Sequence, residues 1–319
     1  MDLSIIIVNW KSKDYLQKCI ASILAETYQI AFEIIVIDSA SYDGCEEMLH
    51  EHYPQVRFIQ SEKNLGFARA NNVAYAVSTG ENVLFLNPDT ELRGAAINLM
   101  LEQLQTLPNA GILGARLLNS DGTVQTSCIQ SLPTILNQML DSEALRARWP
   151  RSGLWGMAPL FDKISEPNEV EAVCGASMML KRSVFDRVGH FSEDYFMYGE
   201  DIDLSYKVRC LGCKNFYVPT AVIVHHGGTS TQQTVSNFSS VMVRQSVWLF
   251  LRKTRGRFYG FGYRFGILVS AFFRLVLLAA LLPWQHLRQR RKVWDQSFCK
   301  WRAILRWSIH PRQWLNQHQ

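Results

Sequence analysis

The first 90 residues alternate between short apolar runs and amphipathic stretches, and this alternation constrains the fold more than any other feature of the chain. The segments LSIIIVNW (3–10) and FEIIVIDSA (32–40) are rich in β-branched residues and lack a helical period, which predicts strands. Between them, residues 14–25 carry one apolar helical face, formed by Tyr15, Leu16, Cys19, Ile20 and Ile23. The same reasoning predicts strands at 56–60 and 82–87 and a helix at 67–78. The sequence therefore predicts an α/β fold with a doubly wound, mainly parallel sheet.

Polar residues end the strands that this topology places near the centre of the sheet. The first strand ends at Asn9, the second at Asp38 and Ser39, and the fourth at Asn87 and Asp89. A single aspartate at a strand end is commonly only a turn former. Because the carboxyl ends of parallel strands meet at one edge and bind ligands there, their convergence predicts a nucleotide or metal site.

The turn after the third strand has a composition suited to the same site. It includes Asn64 and Gly66 and leads directly into the second predicted helix. Glycine lets a backbone approach a ligand closely, and a helix N-terminus favours anions. We therefore expect this turn to face the ligand.

Length and composition fit one large domain with an extension. The chain has 319 residues, of which 48% are hydrophobic and 19% charged, enough for a domain of about 200–250 residues. Its seven cysteines are scattered, which indicates a reducing compartment, and the CxxC of Cys210 and Cys213 is interpreted as packed thiols. The N-terminus lacks the features of a signal peptide, so we expect the chain to begin in the cytoplasm.

The charge is divided unequally along the chain. Residues 252–319 contain 14 Lys and Arg but one acid, Asp295, for a net charge of +13, so residues 1–251 carry −8 of the total +5. The basic part also holds five of the nine tryptophans. An acidic body with a basic, aromatic tail indicates attachment to an anionic partner, either nucleic acid or a phospholipid surface.

The tail contains an apolar stretch at 265–283 that is long enough to cross a bilayer. Arg274 lies at its centre and basic clusters flank both ends, so we expect a helix or bent hairpin lying in the membrane surface, with Arg274 snorkelling, rather than a span. The next helix is predicted to be interfacial, with an aromatic stripe formed by Trp294, Phe298, Trp301 and Leu305. An apolar stretch has no role in nucleic-acid binding, which excludes that partner.

Seven motifs resemble those of family 2 inverting glycosyltransferases, especially the branch that adds rhamnose to polyprenyl-diphosphate-linked sugars. In order they are IIIVNWKS, IIVIDSASYDG, NLGFARANN, VLFLNPDTEL, GARLLNSDGTVQTS, CGASMMLKRSVFDRVGHFSEDYFMYGEDIDLSYKVRCLG and VIVHHGGTS. The resemblance implies a GT-A-like catalytic domain with a Rossmann-like nucleotide-binding half at 1–230. It leaves 231–319 as a helical membrane-association region.

The resemblance implies a divalent cation, Mg²⁺ or Mn²⁺, at the end of the fourth strand. Asp89 would bind the cation, with Asn87 where many relatives have a second acid. His225 would bring an imidazole to the metal, and the adjacent His226 is its rival. A histidine ligand favours Mn²⁺ over Mg²⁺.

The resemblance also implies the contacts to the nucleotide. Asp38 would accept from the pyrimidine ring N–H, and Asn9 would line the base pocket. Asn64 and Gly66 would face the ribose or the diphosphate. Ser39 stands where the family usually has asparagine.

The second half of the chain is expected to supply the catalytic base. Glu200, Asp201 and Asp203 begin a predicted helix, where acids also act as caps. The resemblance favours Asp201 as the base, with Glu200 as the alternative. Gly175, Ala176 and Asp203 are assigned to the acceptor side, and the stretch 141–169 is interpreted as a lid or a long insertion.

The resemblance thus implies metal-dependent transfer of L-rhamnose from dTDP-rhamnose to a lipid-linked sugar in bacterial cell-surface polysaccharide synthesis. Transfer would occur at the cytoplasmic face of the inner membrane, against an anionic lipid surface and without nucleic acid. Two alternatives stay open: another donor, UDP-galactofuranose or UDP-GlcNAc, and a catalytically idle sugar-nucleotide-binding scaffold.

Overall fold

The computed structural model describes residues 1–140, 145, 148–149, 152, 154, 158–161, 165–227, 237–287 and 291–310. The chain forms two compact units. The first contains Met1–Leu132 and Gly156–Ser230, and the second contains Pro133–Trp155 and Thr231–Gln319. The predicted domains, 1–230 and 231–319, place Pro133–Trp155 with the catalytic domain, whereas the structure groups it with the second unit.

The first unit holds all the described strands. These are β1 Leu3–Asn9, β2 Phe32–Asp38, β3 Arg57–Gln60, β4 Asn82–Leu86, β5 Thr90–Arg93, β6 Ala110–Leu118, β7 Ile129–Gln130, β8 Asn168–Val170, β9 Ala172–Val173, β10 Ser177–Lys181 and β11 Lys214–His225. Its helices are α1 Lys13–Glu26, α2 Cys45–His52, α3 Gly66–Tyr75, α4 Ala96–Thr106, α6 Ala158–Phe161, α7 Arg182–Arg187 and α8 Glu200–Cys210. The second unit has α5 Ile135–Met139, α9 Asn237–Arg255, α10 Arg257–Leu287 and α11 Arg291–Ile309.

The predicted α/β fold is confirmed. A nine-stranded sheet has the order β3-β2-β1-β4-β10-β6-β11-β5, with β8 paired to β11, and β7 and β9 form a separate two-stranded sheet. The first four strands in this order are parallel to one another, and β6 is parallel to β11. The strands β10, β5 and β8 run antiparallel to the strands beside them. The sheet is therefore mixed but mostly parallel.

Apolar burial explains why the central strands form. Three consecutive residues of β1, Ile5, Ile6 and Ile7, are fully buried. Because neighbouring side chains of a strand point to opposite faces, both faces of β1 lie in the core. On α1 the predicted face is also buried, through Leu16, Cys19, Ile20 and Ile23. Truncating one of these isoleucines to alanine would cost ~2–5 kcal/mol of stability.

The strand register positions the candidate site. Asn9 of β1 is opposite Asp38 of β2, and Thr90 of β5 is opposite His225 of β11. The turn that contains Asp89 therefore ends beside the end of β11.

The core of the second unit is built from helix contacts. Tyr263, Ile267 and Ala271 of α10 are buried, as are Trp301 and Trp307 of α11. The indole N–H of Trp307 donates to Gln245 Oε1 on α9 at 2.9 Å. This part of the chain is helical, as predicted.

The helix α10 differs from the prediction in the role of Arg274. It runs continuously for 31 residues, without the bend that a hairpin would need. The Arg274 guanidinium donates to the carbonyl of Met139 at the end of α5 and lies 4.4 Å from the ring centroid of Trp301. The Arg274 side chain therefore contacts protein groups, and it does not snorkel to a membrane surface as predicted.

Small residues on α10 let α5 approach closely. A Cβ added to Gly266 would lie 2.7 Å from the Met139 sulfur, and one added to Gly262 would lie 3.3 Å from Ile135 Cδ1. The hydroxyl of Ser270 also donates to Met139 O at 3.3 Å. Ser270 and Arg274 therefore satisfy a carbonyl at the C-terminus of α5.

The aromatic stripe of α11 is also used within the unit. Trp301 is only 9% exposed, Trp294 stacks on Phe298 with centroids 5.0 Å apart, and its indole N–H donates to Leu278 O of α10 at 2.8 Å. These contacts correct the prediction for Trp294 and Trp301, which contact α10 instead of facing a membrane.

Within the described residues, Arg257–Leu281 is the one helical segment that is long and apolar enough to cross a membrane, judged by length and composition alone.

Candidate active site

Asn9 and Asp38 form the centre of a buried polar cluster at the ends of β1 and β2. Both residues are fully buried. Asn9 Nδ2 donates to Asp38 Oδ1 at 2.8 Å, and the other carboxylate oxygen accepts from the Ser41 N–H at 2.9 Å and from Gln60 Nε2 at 2.9 Å. The side chain of Ser41 and the N–H of Tyr42 donate as well. The residues predicted to recognise the base therefore lie together.

These donors set the charge state of Asp38. Burial alone would raise its pKa, but the hydrogen bonds from Ser41, Gln60, Asn9 and the Tyr42 N–H outweigh burial and hold the pKa below its ordinary value. The carboxylate is thus ionised and can only accept hydrogen bonds. A pyrimidine N–H would have to displace one of the present donors, since five of them already point at the two oxygens.

Ser39 joins the end of β2 to the turn before α3. Its hydroxyl donates to Asn64 Oδ1 at 3.2 Å and accepts from the Leu65 N–H at 2.8 Å. Asn64 Oδ1 also accepts from the Gly66 N–H at 2.9 Å. These bonds give Ser39 and Asn64 a defined structural task in shaping the turn.

Gly66 is required for a reason that the sequence does not reveal. Its φ is +69°, and an added Cβ would lie 2.3 Å from the backbone oxygen of Phe196. That same oxygen accepts from the Phe67 N–H at 3.1 Å. The close approach that we expected from a ligand is made here by the backbone of Phe196, and a contact of Gly66 with ribose or diphosphate stays a prediction.

Asp89 and His225 lie next to each other at the ends of β4 and β11. His225 Nε2 is 3.3 Å from Asp89 Oδ1 and 3.3 Å from Asn87 Nδ2. The other ring nitrogen, Nδ1, is 2.7 Å from Gln125 Oε1. Asp89 is buried and His225 nearly so. The structure thus brings together the predicted metal-binding residues.

His226 points to other groups. Its Nε2 lies 2.9 Å from Glu91 Oε1, its Nδ1 lies 2.8 Å from Ser120 Oγ, and its ring packs 5.3 Å from that of Tyr15. Its backbone N–H donates to Asp89 O at 2.9 Å. Of the two adjacent histidines, only His225 directs its imidazole to Asp89.

The Asp89 and His225 pair fits a divalent cation. A carboxylate oxygen and a neutral imidazole nitrogen are ordinary ligands for Mn²⁺, and the carboxylate also suits Mg²⁺. Their 3.3 Å separation suits two neighbouring ligands that are each about 2.1 Å from one ion. Asn87 contributes an amide, so this donor set carries less negative charge than one with two acids.

A second group of possible ligands lies near Asp38. Ligand atoms of Asp38, Asp43 and Cys45 are all within 4.8 Å of one another, a spacing that could hold a metal ion. However, Asp43 accepts from Asn9 Nδ2, from the Lys13 N–H and from the Cys45 N–H. Burial, followed by the charges of the two aspartates, raises the pKa of the Cys45 thiol. A protonated thiol is a poor ligand, so this group is better explained as a hydrogen-bonded anchor.

Asp201 occupies the first turn of α8, where three donors fix its orientation. Its Oδ2 accepts from Gln130 Nε2 and from the Gly175 N–H, both at 3.1 Å, and its Oδ1 accepts from the Ile202 N–H at 2.8 Å. Burial raises its pKa above the ordinary value, although these hydrogen bonds oppose that shift. A raised pKa suits a group that must take a proton.

Glu200 is buried beside Asp201 but is held less firmly. Its Oε2 has no hydrogen-bond partner among the described residues. Burial, and then the charge of Asp201, raise its pKa to about 8. The two carboxylates therefore differ in environment: Asp201 is oriented by donors, whereas Glu200 tends to keep its proton near neutral pH.

Gly175 and Ala176 connect the two halves of the site through their backbone. The Gly175 N–H donates to Asp201, and the Ala176 carbonyl accepts from the Asn87 N–H at 3.0 Å. A Cβ on Gly175 would lie 3.5 Å from Asp201 Cβ. Two consecutive residues thus link the predicted base to the predicted metal turn, while their contact with an acceptor stays a prediction.

Asp203 is buried and occupied by other side chains. It accepts from Ser192 Oγ at 2.6 Å and from the Tyr195 hydroxyl at 3.2 Å, and Lys207 Nζ lies 3.8 Å away. These contacts give Asp203 a structural role in the 192–195 loop. Its place on the acceptor side stays a prediction.

Most of the stretch interpreted as a lid, 141–169, lies outside the described residues. Its described helix α6 belongs to the first unit, where Phe161 packs against Tyr217 with ring centroids 6.0 Å apart.

Three glutamines that contact the candidate site residues, Gln60, Gln125 and Gln130, were not predicted from the sequence. Gln125 could have been noticed, because it lies in the GARLLNSDGTVQTS motif, but nothing in the sequence marks Gln130.

Comparison with known proteins identifies the family of this chain. The Glycosyl transferase family 2 model matches residues 4–189. An N-acetylglucosaminyl-diphospho-decaprenol L-rhamnosyltransferase of Mycobacterium tuberculosis is 31% identical over 242 residues, covering 72% of this chain and 77% of the relative. The rhamnosyltransferase WbbL of Escherichia coli is 25% identical over 232 residues, covering 70% and 82% respectively.

Two solved structures share the fold. The mannosyltransferase PcManGT from Pyrobaculum calidifontis, in complex with GDP-Man and Mn²⁺, superimposes with a TM-score of 0.60 at 15% identity and covers 97% of this chain and 87% of its own. GalNAc-T7 with UDP, GalNAc and Mn²⁺ gives a TM-score of 0.54 at 18% identity, over 70% of this chain and 44% of its own. The chain therefore belongs to glycosyl transferase family 2 and is a glycosyltransferase.

Proposed function

We propose that this enzyme transfers L-rhamnose from dTDP-rhamnose, with inversion, to a polyprenyl-diphosphate-linked sugar in bacterial cell-surface polysaccharide synthesis. The observation that carries the proposal is the pairing of Asp89 with His225, joined through Gly175 and Ala176 to the oriented carboxylate of Asp201. The choice of sugar is supported by the names of both rhamnosyltransferase relatives, and the choice of acceptor by the name of the mycobacterial one.

In this proposal Asp89 and His225 hold a divalent cation, Mg²⁺ or Mn²⁺, which would offset the charge that develops on the departing diphosphate. Asn9 and Asp38 bind the base, and the turn at Ser39 and Asn64 lies beside them. These residues orient the donor before reaction.

Asp201 acts as the general base. The acceptor hydroxyl attacks the anomeric carbon from the face opposite the nucleotide, its proton passes to a carboxylate oxygen of Asp201, and the bonding electrons of the broken C–O bond leave with the diphosphate. One displacement of this kind inverts the anomeric centre. An idle scaffold needs no general base, so the combination of Asp201 with the Asp89 and His225 pair favours the enzyme.

We expect purified full-length protein to form a rhamnosylated product when it is given dTDP-rhamnose, Mn²⁺ and a polyprenyl-diphospho-N-acetylglucosamine acceptor. Product mass distinguishes the donors when dTDP-rhamnose, UDP-galactofuranose and UDP-GlcNAc are offered in parallel. Transfer from a UDP-sugar alone would overturn the rhamnose assignment but leave the enzyme class intact. Donor binding without transfer from any of them would support the scaffold.

The proposed acceptor is lipid-linked, so the enzyme should work at a membrane surface. One side of α10 is apolar and exposed: Phe258 is 94% exposed, and the other members of this side, which we call the phenylalanine face, are Phe261, Phe265, Phe272, Phe273, Val276 and Leu277. The opposite side is buried through Tyr263, Ile267 and Ala271. A helix with one covered side fits a position in the membrane surface better than a span.

Charge supports an anionic lipid surface as the partner of this face. Arg252, Lys253 and Arg255 are exposed in the last turn of α9, and Arg257 is exposed at the start of α10. Arg302 and Arg306 are exposed on α11. Basic residues near an anionic leaflet contribute ~1 kcal/mol each, in addition to the apolar contribution. We therefore propose binding to the cytoplasmic face of the inner membrane, through the phenylalanine face and not through the tryptophans of α11.

Replacing Phe265, Phe272 and Phe273 together by serine should weaken vesicle binding by at least ~10²-fold. Each phenylalanine side chain that enters the apolar part of the bilayer contributes ~1.5–3 kcal/mol to binding. Flotation of full-length protein with vesicles that contain anionic phospholipid, in low and high salt, measures this loss. Tyr28→Ser removes an exposed aromatic side chain of the first unit and serves as the matched control. Flotation of the triple variant at the wild-type level would refute the assignment of this face.

A further inference from the structure

Gln125 lies on the far side of His225 from Asp89, and its hydrogen bonds within the described part of the chain do not reach the donor-binding cluster or the base. Its Oε1 is 2.7 Å from His225 Nδ1, and its Nε2 donates to Asn119 Oδ1 at 3.2 Å. Its backbone N–H donates to Leu117 O at 2.8 Å, which ties it to the end of β6. The side chain thus bridges the histidine and the turn at 119–123.

The turn supplies a chain of hydrogen bonds whose direction is fixed at one end. Asn119 Nδ2 lies 2.9 Å from Thr123 Oγ1, and that hydroxyl lies 2.6 Å from Asp121 Oδ1. The hydrogen bonds from the side chain and then the backbone of Thr123 hold the pKa of Asp121 below its ordinary value. Asp121 is therefore an ionised acceptor that cannot donate.

Starting from Asp121, the donor and the acceptor of each hydrogen bond in this chain can be assigned. The Thr123 hydroxyl must donate to Asp121, so its oxygen accepts from the amide of Asn119. The Asn119 oxygen then faces Gln125 and accepts from Nε2. The remaining Gln125 atom, Oε1, can only accept, so a neutral His225 must carry its proton on Nδ1.

The position of this proton decides whether the other ring nitrogen, Nε2, can bind a cation. With the proton on Nδ1, Nε2 carries a free lone pair toward Asn87 and Asp89, at 3.3 Å from each. That is the tautomer in which a histidine can bind a cation through Nε2. The opposite tautomer would place an N–H between the ring and Asp89 and block such binding.

We propose that Gln125 is a positioning residue that selects the Nδ1–H tautomer of His225, with Asn119, Thr123 and Asp121 fixing the orientation of its amide. The inference rests on the proposed role of His225 as a metal ligand. Groups of this kind, which orient a ligand without touching the metal, typically change metal affinity by ~10–100-fold when they are removed.

The test compares Gln125→Met with Gln125→Glu in the full-length protein. Methionine preserves the shape but removes the acceptor, so Mn²⁺ alone, titrated by electron paramagnetic resonance, should bind ~10–100-fold more weakly. Glutamate restores an acceptor for Nδ1–H and should restore affinity. Gln130→Met, which removes a donor to Asp201 instead, should bind Mn²⁺ as the wild type does.

The tautomer can also be observed directly. In protein labelled with ¹⁵N-histidine at pH 8, with His225→Gln used to assign the signal, two-bond ¹H–¹⁵N correlations should show the proton on Nδ1. An Nε2–H tautomer in the wild type, or equal Mn²⁺ affinity of Gln125→Met and the wild type, would overturn the inference. If His225→Ala also binds Mn²⁺ as tightly as the wild type, the proposed metal role of His225 fails, which is a separate result.

Discussion

Asp201→Asn is expected to slow transfer by ~10²–10⁴-fold, the usual contribution of a general base, while donor binding is retained. Asparagine is nearly isosteric, and if its NH₂ group takes the place of Oδ2, Gln130 can turn its amide to accept from it. The cost is then one hydrogen bond, from the Gly175 N–H, typically ~0.5–1.5 kcal/mol. Loss of folding is therefore not the expected outcome. Single-turnover transfer measures the rate, and a thermal unfolding curve checks that the fold is retained.

Glu200→Gln is the comparison that decides between the two carboxylates. If Asp201 is the base, Glu200→Gln removes a group that tends to stay protonated, and its effect on the rate should be much smaller. The opposite order, with Glu200→Gln severely impaired and Asp201→Asn active, would move the assignment to Glu200.

The pH dependence of the wild type gives an independent measure. The base must be unprotonated to act, and burial raises the pKa of Asp201. The acid limb of the kcat/KM profile should therefore lie above the pH range in which an exposed aspartate titrates. Asp201→Asn should lose this limb along with the rate.

The sequence predicted the placement of the candidate residues best at the ends of the strands. Asn9 and Asp38 end the apolar runs of β1 and β2, and Asp89 lies three residues after the end of β4. Parallel pairing brings the ends of these strands to one edge. Period and composition suffice for this inference, because the carboxyl ends of parallel strands meet at one edge of the sheet.

Contacts made across long stretches of chain could not be predicted in this way. Gln130 is 71 positions from Asp201, and Phe196 fills the space that Gly66 leaves. The Arg274 side chain was expected to extend to the membrane surface, but it donates a hydrogen bond to the end of α5 and lies over the ring of Trp301. Such pairs depend on tertiary packing and leave no periodic signal in the sequence.

The aromatic stripe of α11 shows a further limit. Its spacing predicted an amphipathic helix correctly, but an apolar face can be covered by protein or by lipid with the same pattern. Burial of Trp301 and the contact of Trp294 with α10 decide for protein. The phenylalanine face belongs to α10. Apolar residues occur on all sides of that helix, so the sequence did not indicate which side would be exposed.

Asp89→Ala should reduce transfer by at least ~10²-fold, because the charge that develops on the departing diphosphate would lose its stabilisation. The fold should survive, since the described contacts of the Asp89 side chain are limited to His225, and its backbone carbonyl still accepts from the His226 N–H. Transfer assays with Mn²⁺, with Mg²⁺ and with excess EDTA test the same dependence in the wild type. Glu91→Gln is the matched control, because this neighbouring acid faces His226 instead of His225. Activity of Asp89→Ala within a few-fold of Glu91→Gln, or wild-type activity that is unchanged in EDTA, would remove the cation from the mechanism and leave the donor diphosphate to be stabilised by other groups.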